Sequence, residues 1–231
     1  MTSELLFTGP ELCKFEAHEV VALLKAREIS SSDLIDAALT RIAQTGPLIN
    51  ATPTLCEAQA RAVDLSSRDS TPAGWLAGLP ITIKDLNAVA NVRTTFGTKG
   101  LAGFIPQKSD PLVDQLEQRG AVILGKTNTP EFGAGGNTFN DVFGQTRNPW
   151  NTALNPGGSS GGAAASLAAG EIWLSHGSDH GGSLRTPAAY CGIVGLRPSP
   201  GIAGGPGQDA AFIIEGVQGP MARSVRDCAL F

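Results

Sequence analysis

Apolar positions fall at helical spacing through the first part of the chain and in short unbroken blocks from residue 78 onward. Glu16 to Arg27 (EAHEVVALLKAR) sets Val20, Val21, Leu23 and Leu24 on one face, which predicts a helix with His18 as an ordinary member. Ser31-Ser32-Asp33 offers a cap to a second helix over Leu34 to Gln44, where Leu34, Ile35, Ala38 and Ile42 keep the period and Gly46-Pro47 marks the stop. A third helix is expected from about Leu55 to Leu65, ahead of the polar segment SSRDSTP, and residues 1–10 read as a loose arm.

The pattern then changes. Leu79 to Asp85 is a β-type run, PITIKD at its end, that finishes on Lys84. Asp110 is placed to cap a helix from Pro111 to Arg119 that closes at Gly120. Ala121 to Gly125 is a wholly apolar strand, and Thr127 to Trp150, rich in glycine, asparagine and threonine, reads as irregular. Ser159 to Ala169 is expected to be a helix that opens on a glycine cluster, and Ile172-Trp173-Leu174 a strand that delivers a second one. The terminal MARSVRDCALF reads as part of a helix. Strands alternating with helices predict an α/β fold: a largely parallel sheet flanked by helices, behind an N-terminal helical layer over 1–70, with the α/β core over 78–231. Ligands of such sheets bind beyond the carboxyl ends of strands, where Lys84 and the Ser178–Ser183 turn both fall.

Composition narrows the function. The chain has 231 residues, 42% hydrophobic and 16% charged, enough to bury a core. Its net charge of −4 with no basic run argues against nucleic acid as a direct partner. No apolar run is long enough to span a membrane, and no secretory signal is visible. Cys13, Cys56, Cys191 and Cys228 are widely spaced without a CxxC pair, so free thiols in a reducing cytoplasm are the expected state.

The candidate chemistry lies in two glycine-wrapped serine clusters, Gly157-Gly158-Ser159-Ser160-Gly161-Gly162 and Gly177-Ser178-Asp179-His180-Gly181-Gly182-Ser183. A hydroxyl among converging peptide N–H groups is what acyl transfer requires. Flexible linker is the alternative for Gly/Ser-rich sequence, but the apolar blocks AAASLAAG, EIWL and AAYCGIVGL abut the clusters directly. Gly120 to Thr127 satisfies the phosphate-loop pattern G-x-x-x-x-G-K-[ST], yet its middle residues are strand-forming and Pro130 bars the helix that should follow. A histidine triad is poorly supported: His18 is in the helical layer, His176 follows a strand, His180 is next to Asp179, and G-G-S-L-R lacks the closing glycine of G-x-S-x-G. Neither histidines nor cysteines have metal-ligand spacing, so no metal is expected. A lysine base remains. Lys84 ends the apolar run LAGLPITI, a context that can strip an amine of its proton, whereas Lys25, Lys99 and Lys108 have polar neighbours. From local pattern alone, an ion pair with Asp85 or an exposed tip fits Lys84 equally well.

PITIKD, KTNTPEFGAGGNTFNDVFGQTRNPWN at 126–151, GGSSGG at 157–162 and SDHGGSLRTPAAYCGIVGLRPS at 178–199 together resemble the amidase signature family in order and spacing. The resemblance runs nearly the whole length. It implies the amidase signature fold, with a mixed, largely parallel sheet flanked by helices, and a Ser–cis-Ser–Lys triad: Ser183 as nucleophile, Ser159 as bridging serine on a cis peptide bond, Lys84 as base. It also implies an oxyanion hole from the N–H groups of His180, Gly181, Gly182 and Ser183, with Ser160, Asp179 and Arg185 bracing the loops. Ala163 stands where relatives often carry serine. The implied reaction is hydrolysis of a carboxamide C–N bond through an acyl-enzyme, on a small-molecule amide, without cofactor. Relatives are roughly twice as long, which implies an amidase domain incomplete at its C-terminus. Three readings stay open: a stand-alone amidase, the amidase subunit of a tRNA-dependent amidotransferase, and an inactive truncated fragment. A homodimer is also left open.

Overall fold

The computed structural model describes residues 8–65, 72, 74–203 and 215–231. Most of the expected arm and most of SSRDSTP lie outside the described residues. Helix α1 spans Ala17–Ala26 and helix α2 Ser31–Ile49. The cap of α2 is Ser30, whose Oγ accepts from Asp33 N–H at 3.2 Å while the Asp33 carboxylate accepts from Ser30 N–H at 2.7 Å. Gly46-Pro47 does not stop α2 as expected. The helix runs on until Ile49 is buried with Ala51, Ala165 and Ala169, and Asn50 closes it in the left-handed region. Burial of that last turn outweighs the bond lost at proline.

The third helix is much shorter than predicted. Thr54–Leu55 form an edge strand, β1, and only Glu57–Arg61 are helical, as α3. The remaining elements are β2 (Pro80–Lys84), α4 (Pro111–Gln118), β3 (Val122–Thr127), a small hairpin β4 (Phe139–Asn140) and β5 (Gly144–Gln145), α5 (Gly161–Ala168), β6 (Leu174–Asp179), α6 (Arg185–Cys191), β7 (Val194–Gly195), β8 (Val217–Ala222) and α7 (Val225–Cys228). Asp110 precedes α4, but its carboxylate does not cap; it accepts instead from Asn87 Nδ2 at 2.8 Å and Ala88 N–H at 3.2 Å. The C-terminal MARSVRDCALF divides between β8 and α7.

The main sheet has the order β1-β3-β2-β6-β8-β7. Its centre, β3-β2-β6, is parallel as expected; β1, β8 and β7 join antiparallel, so the sheet is mixed. Every residue of β2 and β3 is buried, as a two-sided parallel centre demands. The N-terminal helices pack onto the sheet: Val20, Val21, Leu34 and Ile35 share one core with Ile81, Ile83, Leu124 and Trp173. All four cysteines are free thiols, and three are buried. Among the described residues, no helix is long and apolar enough to cross a membrane.

The pairing of two central strands prepares the site. β2 and β6 pair only at Ile81–Leu174 and Thr82–Ser175. Beyond that point the Lys84 N–H meets the His176 ring at Nδ1, 3.4 Å away. The parting of the two strands leaves room for the side chain that ends β2.

Candidate active site

Lys84 is fully buried. Its Nζ lies 2.7 Å from Ser159 Oγ, 2.8 Å from Ser160 Oγ and 3.0 Å from Ser178 Oγ. Burial drives its pKa from 10.5 down to about 7, against the opposing charge of Asp179. Three hydroxyls around one nitrogen suit either an ammonium with three donors or a neutral amine that donates twice and accepts once. Asp85, the carboxylate next in the chain, is not its partner. It pairs with Lys126 of β3 at 3.1 Å and accepts from Thr95 Oγ1 at 2.5 Å.

Ser159 reaches Lys84 from the N-terminal side of α5, and its peptide bond with Gly158 is cis. The glycines around it serve close packing. A Cβ on Gly158 would lie 2.8 Å from Asn137 N and 2.9 Å from Gly135 O, so the 134–137 loop can seat against the bend only where side chains are absent. Ser160 occupies the N-cap position of α5, yet its hydroxyl does not cap. It takes part in the lysine cluster and donates to Ser178 O at 3.2 Å.

The second cluster is half strand, half turn, since the strand expected over Ile172–Leu174 begins only at Leu174 and runs on through Gly177, Ser178 and Asp179. Asp179 is buried and organises the turn. Its carboxylate accepts from Gly182 N–H at 2.9 Å, Leu184 N–H at 3.1 Å, Arg185 Nε at 3.0 Å and Arg197 Nη1 at 2.9 Å. Burial alone would raise its pKa, but the bonds from Arg185, Gly182 and Leu184 prevail and hold it well below the usual carboxylate range. Gly182 N–H is therefore engaged, which removes it from the four donors the resemblance implied. The N–H groups of His180, Gly181 and Ser183 donate to no acceptor among the described residues.

The structure thus gathers Lys84, Ser159 and Ser160 into one hydrogen-bonded cluster and adds Ser178, which sequence reasoning did not single out. Ser183 is half-buried on the turn between β6 and α6, and its hydroxyl forms no hydrogen bond with a described residue. Arg197, also not anticipated, braces Asp179 beside Arg185. The alternation of Ser178 and His180 around Asp179 was the available signal for Ser178; nothing local pointed to Arg197.

His176 is buried as a neutral ring. Burial and the nearby Lys84 press its pKa down to about 3, and its Nε2 meets Gln218 Oε1 at 3.0 Å. His18 is in α1, with Nδ1 2.8 Å from Asp227 Oδ1. Glu16, His18 and Asp227 bring potential metal-ligating atoms within 4.8 Å of one another. The Asp227 oxygens, however, already accept from Ala17 N–H and His18 N–H, at 3.0 and 2.8 Å. In the phosphate-loop pattern, residues 122–127 are strand β3 and wrap nothing.

Comparison with known proteins identifies the family. The Amidase family model matches residues 33–231. A glutamyl-tRNA(Gln) amidotransferase subunit from Carboxydothermus hydrogenoformans is 44% identical over 224 residues, which is 95% of this chain and 46% of that protein. The structure of 6-aminohexanoate cyclic dimer hydrolase superposes with a TM-score of 0.85 at 36% identity, over 94% of this chain and 46% of its own. The corresponding amidotransferase subunit from Thermotoga maritima gives a TM-score of 0.75 at 29% identity, over 95% and 46%. The chain therefore spans about half the length of the relatives it matches. Both its sequence and its backbone path make it a member of the amidase family.

Proposed function

We propose that this protein hydrolyses a carboxamide C–N bond, with Ser183 as nucleophile, Ser159 as relay and Lys84 as base. The observation that carries the reading is a buried amine, with a pKa near 7, in hydrogen-bond contact with the Ser159 hydroxyl at 2.7 Å. Neutral Lys84 takes the Ser159 proton as Ser159 takes that of Ser183. The Ser183 alkoxide attacks the amide carbonyl, and the oxyanion falls to the N–H groups of His180, Gly181 and Ser183. The same relay, run backward, protonates the departing ammonia or amine. Water then cleaves the acyl-enzyme to carboxylate and free Ser183. Ser160 and Ser178 hold the lysine nitrogen in register, and Asp179 with Arg185 shapes the turn. No cofactor enters this scheme; the substrate is a small-molecule amide, and the chemistry needs neither nucleic acid nor membrane. It is compatible with a cytoplasmic protein and with a monomer or homodimer.

A second reading, the amidase component of a glutamyl-tRNA(Gln) amidotransferase, draws support from the 44% identity to a protein of that kind. The two separate on substrate: glutamine as the ammonia donor, with a protein partner, or a simple carboxamide or aryl amide without one. One experiment tests the shared chemistry. A fluorophosphonate probe applied to the purified chain is expected to label Ser183, and Ser183→Ala to remove both labelling and turnover while leaving the melting temperature within a few degrees. Labelling elsewhere, or full activity in Ser183→Ala, overturns the nucleophile assignment. The truncated-fragment reading predicts no labelling and no cooperative melt.

A further inference from the structure

We infer that Arg197 is the positioning residue for the oxyanion hole, acting on the peptide group between Asp179 and His180. The inference rests on the catalytic reading above. Arg197 Nη1 donates to two acceptors on one residue, the Asp179 carboxylate at 2.9 Å and the Asp179 main-chain carbonyl. Its Nη2 donates to the Glu215 carbonyl at 2.8 Å. One guanidinium therefore spans from the end of β6 to the chain just before β8. The Asp179 carbonyl belongs to the same planar group as the His180 N–H. In a trans peptide the two point in opposite directions, so Arg197, together with the pairing of Asp179 with Val217 in the β6–β8 ladder, anchors the oxygen and aims the hydrogen. His180 N–H is the first of the three unengaged donors in the turn.

Arg185 does not do the same work. It touches only the carboxylate of Asp179, and its side chain is 57% exposed against 24% for Arg197. The division of labour is specific. The Asp179 carboxylate draws Gly182 and Leu184 N–H toward itself, on either side of Ser183. Arg197 orients the peptide that enters the turn. A lysine could replace the charge at 197, but not the fork that reaches the Asp179 and Glu215 carbonyls together.

The test is fluorophosphonate labelling of Ser183 in the full chain, resolved into the saturating rate constant and the half-saturating probe concentration. Both are read on the plateau above about pH 9, where a change in the Lys84 pKa no longer matters. Arg197→Met is expected to lower the plateau rate at least tenfold, and Arg197→Lys at least threefold. The half-saturating concentration should stay within twofold in both, because the donor acts on the phosphoryl oxygen as the bond forms and not on the probe's resting pose. A plateau rate equal to the parent's in either variant overturns the inference. So does a fall matched by an equal rise in half-saturating concentration, which would mean a merely disordered pocket. If Arg197→Met does not melt cooperatively, Arg197→Lys decides alone. A parent chain that does not label at Ser183 overturns the catalytic reading and this inference with it; a parent that labels beside unaffected variants overturns the inference only.

Discussion

Lys126 Nζ lies 3.1 Å from Asp85 Oδ1, so the carboxylate that follows Lys84 in the chain is neutralised by the neighbouring strand. Lys126 also donates to Asn87 O at 2.7 Å and Thr94 Oγ1 at 2.8 Å. Two buried lysines therefore stand on adjacent strands, one in contact with a counter-ion and one, among the described residues, in no ion pair. Their removal should differ. Lys126→Met strands the Asp85 charge in the interior and is expected to cost about 3–5 kcal/mol. Lys84→Met leaves only hydroxyls to rearrange and should cost about 1–2 kcal/mol, while abolishing turnover. Urea melts of the two variants check the order; a larger loss for Lys84→Met would contradict the assignment of the pairs.

Stability should vary with pH in two windows of opposite sign. Lys84 has a folded pKa of about 7 against 10.5 ordinarily, so the unfolded chain holds more protons between those values and stability rises with pH there. Glu171 is buried under α2 and accepts from Thr45 Oγ1 at 2.6 Å. Burial raises its pKa from 4.5 to about 7, so the folded chain holds more protons in that range and stability falls as pH rises through it. Glu171→Gln should remove the lower limb alone and Lys84→Met the upper limb alone. Each is read as the difference from the parent between about pH 4.5 and 9, in which the cysteine thiols, raised from 9.0 to about 11 or 12 by burial, contribute alike to parent and variant and cancel.

The rate of amide cleavage should climb with a midpoint near pH 7 and then level off, following loss of the Lys84 proton. A histidine would give a similar midpoint, so the distinguishing variant is His176→Phe. His176 is already neutral at any working pH, its pKa pressed to about 3. The variant should lose about 1–3 kcal/mol of stability by freeing the Lys84 N–H and a Gln218 bond. Its rate midpoint should stay where it was. Disappearance of the pH dependence in His176→Phe would transfer the role of base to that ring.

Gly162→Ala tests how tightly α5 is seated. An added Cβ would lie 2.4 Å from Asn128 N and 2.7 Å from Ala51 O, both main-chain atoms with little freedom to yield. Alanine gains about 1 kcal/mol in helix propensity, but overpacking of this kind typically costs about 1–3 kcal/mol or more. A net loss of stability, seen in thermal melts, is the expected result. An unchanged melt would show that the helix can draw back from the 128 loop.

The amino-acid order by itself determined the local elements and the residue types of the site. The α5 helix followed from its alanines and the α/β class from alternating blocks, because each depends on neighbours a few residues apart; LAGLPITI ahead of Lys84 allowed its burial but did not decide it. What only the tertiary structure decided depends on partners far along the chain. Thr54–Leu55 became strand because β3 offered an edge, and α2 ran past Gly46-Pro47 because Ile49 found Ala165 and Ala169 to pack on. The choice between Asp85 and three serines as the company of Lys84 was open locally. It closed when strand pairing set Ile83 opposite Lys126, giving Asp85 another cation, and the parting of β2 from β6 left Lys84 facing hydroxyls. Ser178, Arg197 and the engagement of Gly182 were settled in the same way, by hydrogen bonds whose geometry exists only once the sheet has formed.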